Sequence, residues 1–229
     1  MFSIVIPLFN ESKNITELLN EISISLNDYK DYEIILVDDN STDNTLDIIN
    51  NFKDNKIKIF QNNKNKGQSF SISLGIKKSL YNTIITIDGD GQNDPYDIPK
   101  LLKYFNENKD YELVGGIRKK RKDSFIKIIS SMIANYIRAK ILKDDCKDTG
   151  CSLKVFNKKI FLDFPYFNGI HRFLPALFRG YGYKTKYIDV NHRNRKHGFS
   201  NYGTFSRLFQ GIRDMIKVRK ILNKNKKLK

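Results

Sequence analysis

Four short apolar runs set the frame for this chain: FSIVIPLF (2–9), YEIILVDD (32–39), IKIFQN (57–62) and TIITID (83–88). The segments between them carry helical spacing. Ile15, Leu18, Leu19 and Ile22 follow Asn10-Glu11-Ser12, and Leu46, Ile49 and Phe52 follow Ser41 and Thr42, which are candidate N-caps. A third helix is expected near 69–80, then another over about 97–108 and a strand over 111–117. Strands that are apolar on both faces must be covered on both faces, and alternation with helices makes their neighbours parallel. The expected fold is therefore α/β, a Rossmann-like, mostly parallel sheet flanked by helices. In such sheets ligands gather beyond the carboxyl ends of the strands. Asn10-Glu11, Asp38-Asp39, Asp88 and Asp90 would converge on that rim.

The stretch TIDGDGQNDP (86–95) crowds carboxylates at the exit of the fourth run. Close carboxylates repel unless a cation neutralises them. Asp88 and Asp90 with Gln92 supply hard oxygen ligands of the kind Mg2+ or Mn2+ takes, and Gly89 and Gly91 allow a sharp turn around the ion. A lone D-x-D is also an ordinary solvated turn. Asp94, ahead of Pro95, reads as a cap leading a helix, and Asp38 and Asp43 as turn and cap residues. Neither G-x-G-x-x-G nor G-x-x-x-x-G-K-[ST] is present, so a glycine cradle is not the phosphate-binding device.

The chain has 229 residues and a formal net charge of +16, with Lys and Arg crowded from Arg118 onward. An excess of this size favours an anionic partner: nucleic acid, an acidic membrane surface or a phosphorylated substrate. Nucleic acid fits poorly, because the acidic rim would repel a phosphate backbone. Cys146 and Cys151 lack the further Cys and His that a zinc site needs and read as a reduced cytoplasmic pair. No secretory signal and no apolar run of spanning length is recognised.

Beyond the basic loop GGIRKKRKDS (115–124), two amphipathic helices are expected, over about 124–142 and 204–222. The first places Phe125, Ile129, Met132 and Tyr136 on one face and Lys127, Ser131 and Arg138 on the other. The second carries Phe205, Leu208, Phe209, Ile212, Met215 and Ile216 beside Arg207, Arg213 and Lys217. Such helices pack on a core or lie on an anionic membrane. Residues 223–229 read as a disordered basic tail.

IVIPLFNE, VDDNSTDNT and IDGDGQNDP, in this order and spacing, resemble the family 2 glycosyltransferases of GT-A fold. GGIRKKRKDS, DTGCSLKVF, GIHRFLPAL and VNHRNRKHGFSNYG resemble the dolichyl-phosphate mannose synthase branch and its bacterial polyprenyl-phosphate relatives. The resemblance spans residues 2–222 and implies one domain, with a nucleotide-sugar half over 1–118 and an acceptor half over 119–222. It implies that Pro7, Phe9 (where Tyr is usual) and Glu11 frame the base, and that Asp39 binds base or ribose. Asp88, Asp90 and Gln92 would hold the metal and donor diphosphate, Arg118 would meet phosphate, and Asp148 would stand near the reacting centre. Asn201 replaces the Lys common in the branch, a lost cation that Arg193, Arg195 or Lys196 could replace.

The implied reaction is metal-dependent, inverting transfer from GDP-mannose or a UDP-hexose to a polyprenyl or dolichyl phosphate at the cytoplasmic membrane face. A divalent cation stabilises the leaving diphosphate as a Lewis acid. A phosphate acceptor, with its second pKa near 6, needs positioning more than a base, and Asp148 is assigned no firm base role. The enzyme would be cytoplasmic and peripheral, reaching lipid directly or through a separate membrane-spanning partner. An alternative acceptor is a saccharide hydroxyl of lipopolysaccharide or another envelope glycan, which would need a carboxylate base. A processive synthase is disfavoured because the chain has no Trp for a Q-x-x-R-W motif. His192 and His197 read as making local contacts, and His171-Arg172 as an acceptor-loop pair or packing residues.

Overall fold

The computed structural model describes residues 1–119, 136–195 and 204–227. Its elements are β1 (Phe2–Leu8), α1 (Ile15–Ser25), β2 (Tyr32–Asp38), α2 (Thr45–Asn50), β3 (Ile57–Gln61), α3 (Gln68–Lys78), β4 (Thr83–Thr86), α4 (Ile98–Glu107) and β5 (Tyr111–Arg118). A helix α5 over 136–142 follows, then β6 (Lys154–Asn157), α6 (Lys158–Leu162), α7 (Leu174–Gly180), β7 (Lys184–Val190) and α8 (Thr204–Lys227). The strands form one sheet in the order β3-β2-β1-β4-β6-β5-β7. β1 pairs in parallel with β2 and β4, β2 with β3, and β5 with β7. β6 runs antiparallel between β4 and β5.

The pleat sorts the core into two layers. Ile4, Ile6, Leu8, Ile34 and Leu36 face α1 and α4 with Ile15, Leu18, Leu19 and Ile22. Val5, Ile35 and Val37 face the other way, toward Ile72 and Ile76 of α3 and the aromatic cluster of Phe156, Phe161, Phe164 and Phe178. Each central strand is thus buried on both faces, the condition that an unbroken apolar run signals. α3 reaches this distance through Gly75, where a Cβ would stand 2.5 Å from Val5 Cγ1 and 3.1 Å from Val37 Cγ2.

Several expectations need correction. Ser41 and Thr42 do not cap α2. The N-cap is Asn44, without a side-chain cap bond, and the two hydroxyl residues bond Asp38 and Asn10 instead. β4 ends at Thr86, two residues short of Asp88. β6 and β7 were not anticipated, since Lys154 and the Lys-Thr-Lys of 184–186 break the apolar pattern. Of the helix expected over 124–142, only 136–142 falls among the described residues, and its facing is the reverse of the expected one. Tyr136 is 61% exposed and Arg138 is 5% exposed. Arg138 turns inward because it pairs with Asp144 at 2.9 Å and donates to the Cys146 carbonyl. α8 continues to Lys227, where a disordered tail was expected from residue 223. Once Met215, Val218 and Leu222 are packed, adding helical residues costs little. Lys120 to Lys122 of the basic run, Lys196, His197 and Asn201 lie outside the described residues.

Gly75→Ala is expected to destabilise the chain by about 1–3 kcal/mol, the usual cost of overpacking a tight interface. A lowered urea midpoint with an unchanged slope would show it.

Candidate active site at the carboxylate rim

Strand order reverses between β1 and β4, because β2 lies on one side of β1 and β4 on the other. The loops after these strands therefore diverge and leave a crevice. The β1 and β2 loops are stitched to each other. Asn10 N–H donates to Ser41 Oγ at 3.0 Å, Thr42 N–H to Asn10 Oδ1 at 2.7 Å, and Glu11 N–H to Thr45 Oγ1 at 2.9 Å. Asp43, as expected, serves the turn, accepting from Ser12 N–H and Thr45 N–H. Asp39 is buried, and its carboxylate accepts from Asn62 Nδ2, Lys66 N–H and Gly67 N–H at 2.7–2.8 Å. It thereby holds the loop leading into α3 against the rim.

The DGDG turn sits directly on the end of β1. A Cβ on Gly89 would stand 2.5 Å from Leu8 Cδ2, and Gly91 has φ +71°, a conformation glycine adopts without penalty. Asp88 N–H donates to Ser152 Oγ at 3.1 Å, and Asp88 Oδ1 accepts from Gln68 Nε2 at 2.7 Å. Burial, together with the neighbouring Asp90 charge, pushes the Asp88 carboxyl up to about 7, against the opposing pull of Lys154 and Arg118. Asp90 Oδ1 accepts from Gln92 N–H, and the Gln92 carbonyl accepts from Arg193 N–H. Gln92 is thus fixed beside the pair through its backbone. Asp94 caps the turn after Pro95, accepting from Tyr96 N–H, and also pairs with Arg193.

Glu11 completes the acidic rim. Burial raises its carboxyl, opposed by Asn14 and Arg195 and reinforced by Asp90. Arg195 lies across this edge, 2.8 Å from Glu11 Oε1 and 4.0 Å from Asp90 Oδ2. Pro7 and Phe9 are half-buried at the same mouth. Among the described residues no group of three or more His, Cys, Asp and Glu side chains is placed to hold a metal. The donor set is nonetheless one that Mg2+ or Mn2+ uses, since these ions take one or two carboxylates and complete their shell with phosphate oxygens and water. The raised Asp88 carboxyl marks a negative charge that such a cation would neutralise.

On the far side of the turn, Arg118 at the end of β5 meets Asp148 in a two-pronged pair. Nε and Nη2 reach the two carboxylate oxygens at 2.7 Å each, and Arg118 N–H adds a third bond at 3.2 Å. Both side chains are largely buried. Asp148 is thereby committed to orienting a guanidinium. Between the turn, α3 and α7 lies a cavity of about 330 Å3 lined in part by Asp88, Gln68, Ser152, Lys154, His171 and Arg172. Another depression, of about 410 Å3, lies remote from the carboxylates between α1 and α2. His171 Nδ1 meets Ser69 Oγ at 2.7 Å, and burial pushes its pKa down to about 3, so it is a neutral packing partner. Arg172 pairs with Asp214 at 2.7 Å. Cys146 and Cys151 are free, buried thiols, with Cys146 pushed up to about 11 by burial. The His192 backbone forms a bridge with Asn93, a contact between distant segments where a local one was expected.

Sequence reasoning missed Gln68, Ser152 and Lys154. The one available signal was a lysine inside the otherwise apolar run LKVF.

The sequence profile of Glycosyl transferase family 2 matches residues 3–164. The chain belongs to that family. Among its relatives, a dodecaprenyl-phosphate galacturonate synthase of Rhizobium johnstonii is 35% identical over 223 residues, covering 94% of this chain and 65% of the relative. An undecaprenyl-phosphate 4-deoxy-4-formamido-L-arabinose transferase of Edwardsiella ictaluri is 31% identical over 205 residues, covering 88% and 62%. The chain thus spans just under two thirds of the length of these curated relatives. Among solved structures, a glucosyl-3-phosphoglycerate synthase from Mycobacterium tuberculosis, in complex with Mn2+, UDP-glucose and phosphoglyceric acid, superposes with a TM-score of 0.72. It has 16% identity and covers 96% of this chain and 80% of its own. A mannosyl-3-phosphoglycerate synthase from Rubrobacter xylanophilus gives 0.71 at 14% identity, covering 96% and 73%. These likenesses establish the GT-A fold of this family 2 chain.

The folded chain keeps the Asp88 proton to about pH 7, whereas an unfolded Asp releases it near 3.8. The native state therefore binds more protons over that interval, and stability falls as pH rises through it. Asp88→Asn is expected to raise the thermal midpoint of the metal-free protein at pH 8, with a gain that shrinks toward pH 4. The same variant is expected to lose the stabilisation that Mn2+ gives the native protein at pH 8. Equal midpoints at both pH values would contradict the buried-charge account.

Proposed function

We propose that this chain transfers a sugar, with inversion, from a nucleotide-diphosphate sugar to a polyprenyl phosphate. The observation that carries the reading is the Asp88–Asp90 pair at the switch point, facing an Arg118 that Asp148 holds rigid. The names of the relatives, all lipid-phosphate sugar synthases or transferases, support the acceptor class.

Residues 1–118 form the donor side in this reading, and 119–222 the acceptor side. Pro7, Phe9 and Glu11 frame the nucleoside, with Asp39 setting the neighbouring loop and lying within reach of base or ribose. Asp88, Asp90 and Gln92 would hold Mg2+ or Mn2+, which supplies Lewis-acid stabilisation of the departing diphosphate. Arg118 offers N–H groups to a phosphate, either the donor's or the acceptor's. A bidentate carboxylate partner pre-sets its plane, so little reorganisation accompanies reaction. A phosphate monoester is already largely a dianion at neutral pH and needs no base. That matches an Asp148 whose two oxygens are spent on Arg118 and disfavours a saccharide hydroxyl as acceptor, which would require a free carboxylate nearby.

The lipid acceptor implies work at the cytoplasmic membrane surface. No helix of the described residues is long and apolar enough to cross a membrane. Exposed Tyr136, Ile137 and Ile141 on α5, and Ile212 and Ile216 on α8, lie beside Lys140, Arg213, Lys217 and Lys220. Apolar groups flanked by cations suit an anionic interface, and peripheral association, direct or through a membrane-spanning partner, is part of the reading.

Incubating the protein with Mn2+, a panel of UDP- and GDP-sugars and polyprenyl phosphate should release nucleoside diphosphate only when the lipid phosphate is present. Transfer to free saccharides instead, or no turnover with any donor, would overturn the reading. Arg118→Ala is expected to lower kcat by about 10²–10³-fold, as for loss of a transition-state donor, and Arg118→Lys to restore little, since it lacks the fork.

A further inference from the structure

Lys154 opens β6 opposite Thr86 of β4, on the sheet face that carries Phe156 and is covered by α3 and α7. It is 3% exposed, and it lines the cavity beside Asp88. Its Nζ donates to the Cys151 carbonyl, and no carboxylate among the described residues forms an ion pair with it. An ammonium carries three donors, so two of them have no acceptor among these residues. Burying such a charge is costly unless something pairs with it. Asp88 is near enough to feel it, but an Asp88 that binds a cation has its charge already spent.

The other groups of the cavity are neutral or charge-paired, though Arg172 keeps a buried Nε–H without a partner among the described residues. Arg172 is neutralised by Asp214, and His171 is held neutral. Gln68, Ser152 and Asn168 add uncharged hydrogen-bonding groups. The cavity therefore presents one uncompensated positive charge among polar groups suited to hydroxyls, in a volume of about 330 Å3 that is of small-ligand size. One enclosed cation matches a monoanion. A lipid phosphate is largely a dianion with a long chain that must leave toward the membrane, and an enclosed floor serves it poorly.

We propose that this cavity seats the donor sugar and that Lys154 selects a sugar bearing a carboxylate, a hexuronate, over the matching neutral hexose. The inference rests on the nucleotide-sugar reading above and names the substrate class of that same site.

Calorimetric titration in Mn2+ with donor pairs sharing a nucleotide tests it: UDP-galacturonate against UDP-galactose, UDP-glucuronate against UDP-glucose, and GDP-mannuronate against GDP-mannose. At least one uronate is expected to bind about tenfold or more tighter than its neutral partner, the scale of a hydrogen bond to a charged group. Lys154→Met should bring the two within about threefold by weakening the uronate alone, and Lys154→Arg should retain the preference. If Lys154 were only a counter-charge for Asp88, Lys154→Met would weaken both members of a pair alike, which overturns the inference. Equal affinities in the native protein overturn it without any variant. So does a Lys154→Met effect confined to the KM for polyprenyl phosphate, which would assign the charge to the acceptor. If neutral sugars bind and turn over while uronates do not, the inference fails and the transferase reading stands. If no nucleotide sugar binds, both fail.

Discussion

The buried Asp88 carboxylate is the constraint around which the site is arranged. A negative charge enclosed next to Asp90 is unfavourable, and its carboxyl responds by moving up to about 7. Everything around it softens that cost in part: a Gln68 amide on one oxygen, a Ser152 hydroxyl under the backbone, and the fields of Lys154 and Arg118. None of these neutralises it fully. In the proposed reading, the charge kept in reserve here is what a divalent cation, and through it a diphosphate, would answer.

The same economy governs the basic side. The chain has a net charge of +16, yet the arginines around the crevice are mostly spoken for. Arg118 is held by Asp148, Arg172 by Asp214, Arg193 by Glu21 and Asp94, and Arg195 by Glu11. Pairing fixes where each guanidinium points, and that matters more to group transfer than the number of cations. Lys154 stands apart because its charge is buried and no carboxylate among the described residues forms an ion pair with it.

Much of the architecture was legible. The apolar runs at 2–9, 32–39, 57–62 and 83–88 became β1 to β4, because runs this short and rich in β-branched residues suit strands better than helices, although β3, at the sheet edge, is only partly buried. The DGDG turn, Asp94 as a cap and the inert cysteines were also readable, each from local chemistry. β6 and β7 were not, because their lysines point into a cavity or out to solvent and interrupt the pattern. The facing of α5 was misread for a related reason. Periodicity places Arg138 on the polar side, and only a partner distant in the fold, Asp144 with the Cys146 carbonyl, draws it inside. Ser41 and Thr42 went wrong similarly: a hydroxyl near a helix start is a cap only if no better partner is close, and Asn10 and Asp38 were closer.

By itself the sequence determined the alternating strands and helices, the acidic strand ends and the family, since these depend on local pattern and on motifs read in order. Tertiary structure decided which charges are spent. That Asp148 serves Arg118, that Asp39 ties down the loop before α3, and that Lys154 is buried beside Asp88 with no ion-paired carboxylate among the described residues all arise between segments far apart in the chain. Electrostatic commitment depends on distance in space and on exclusion of water, and neither is written in the order of the residues.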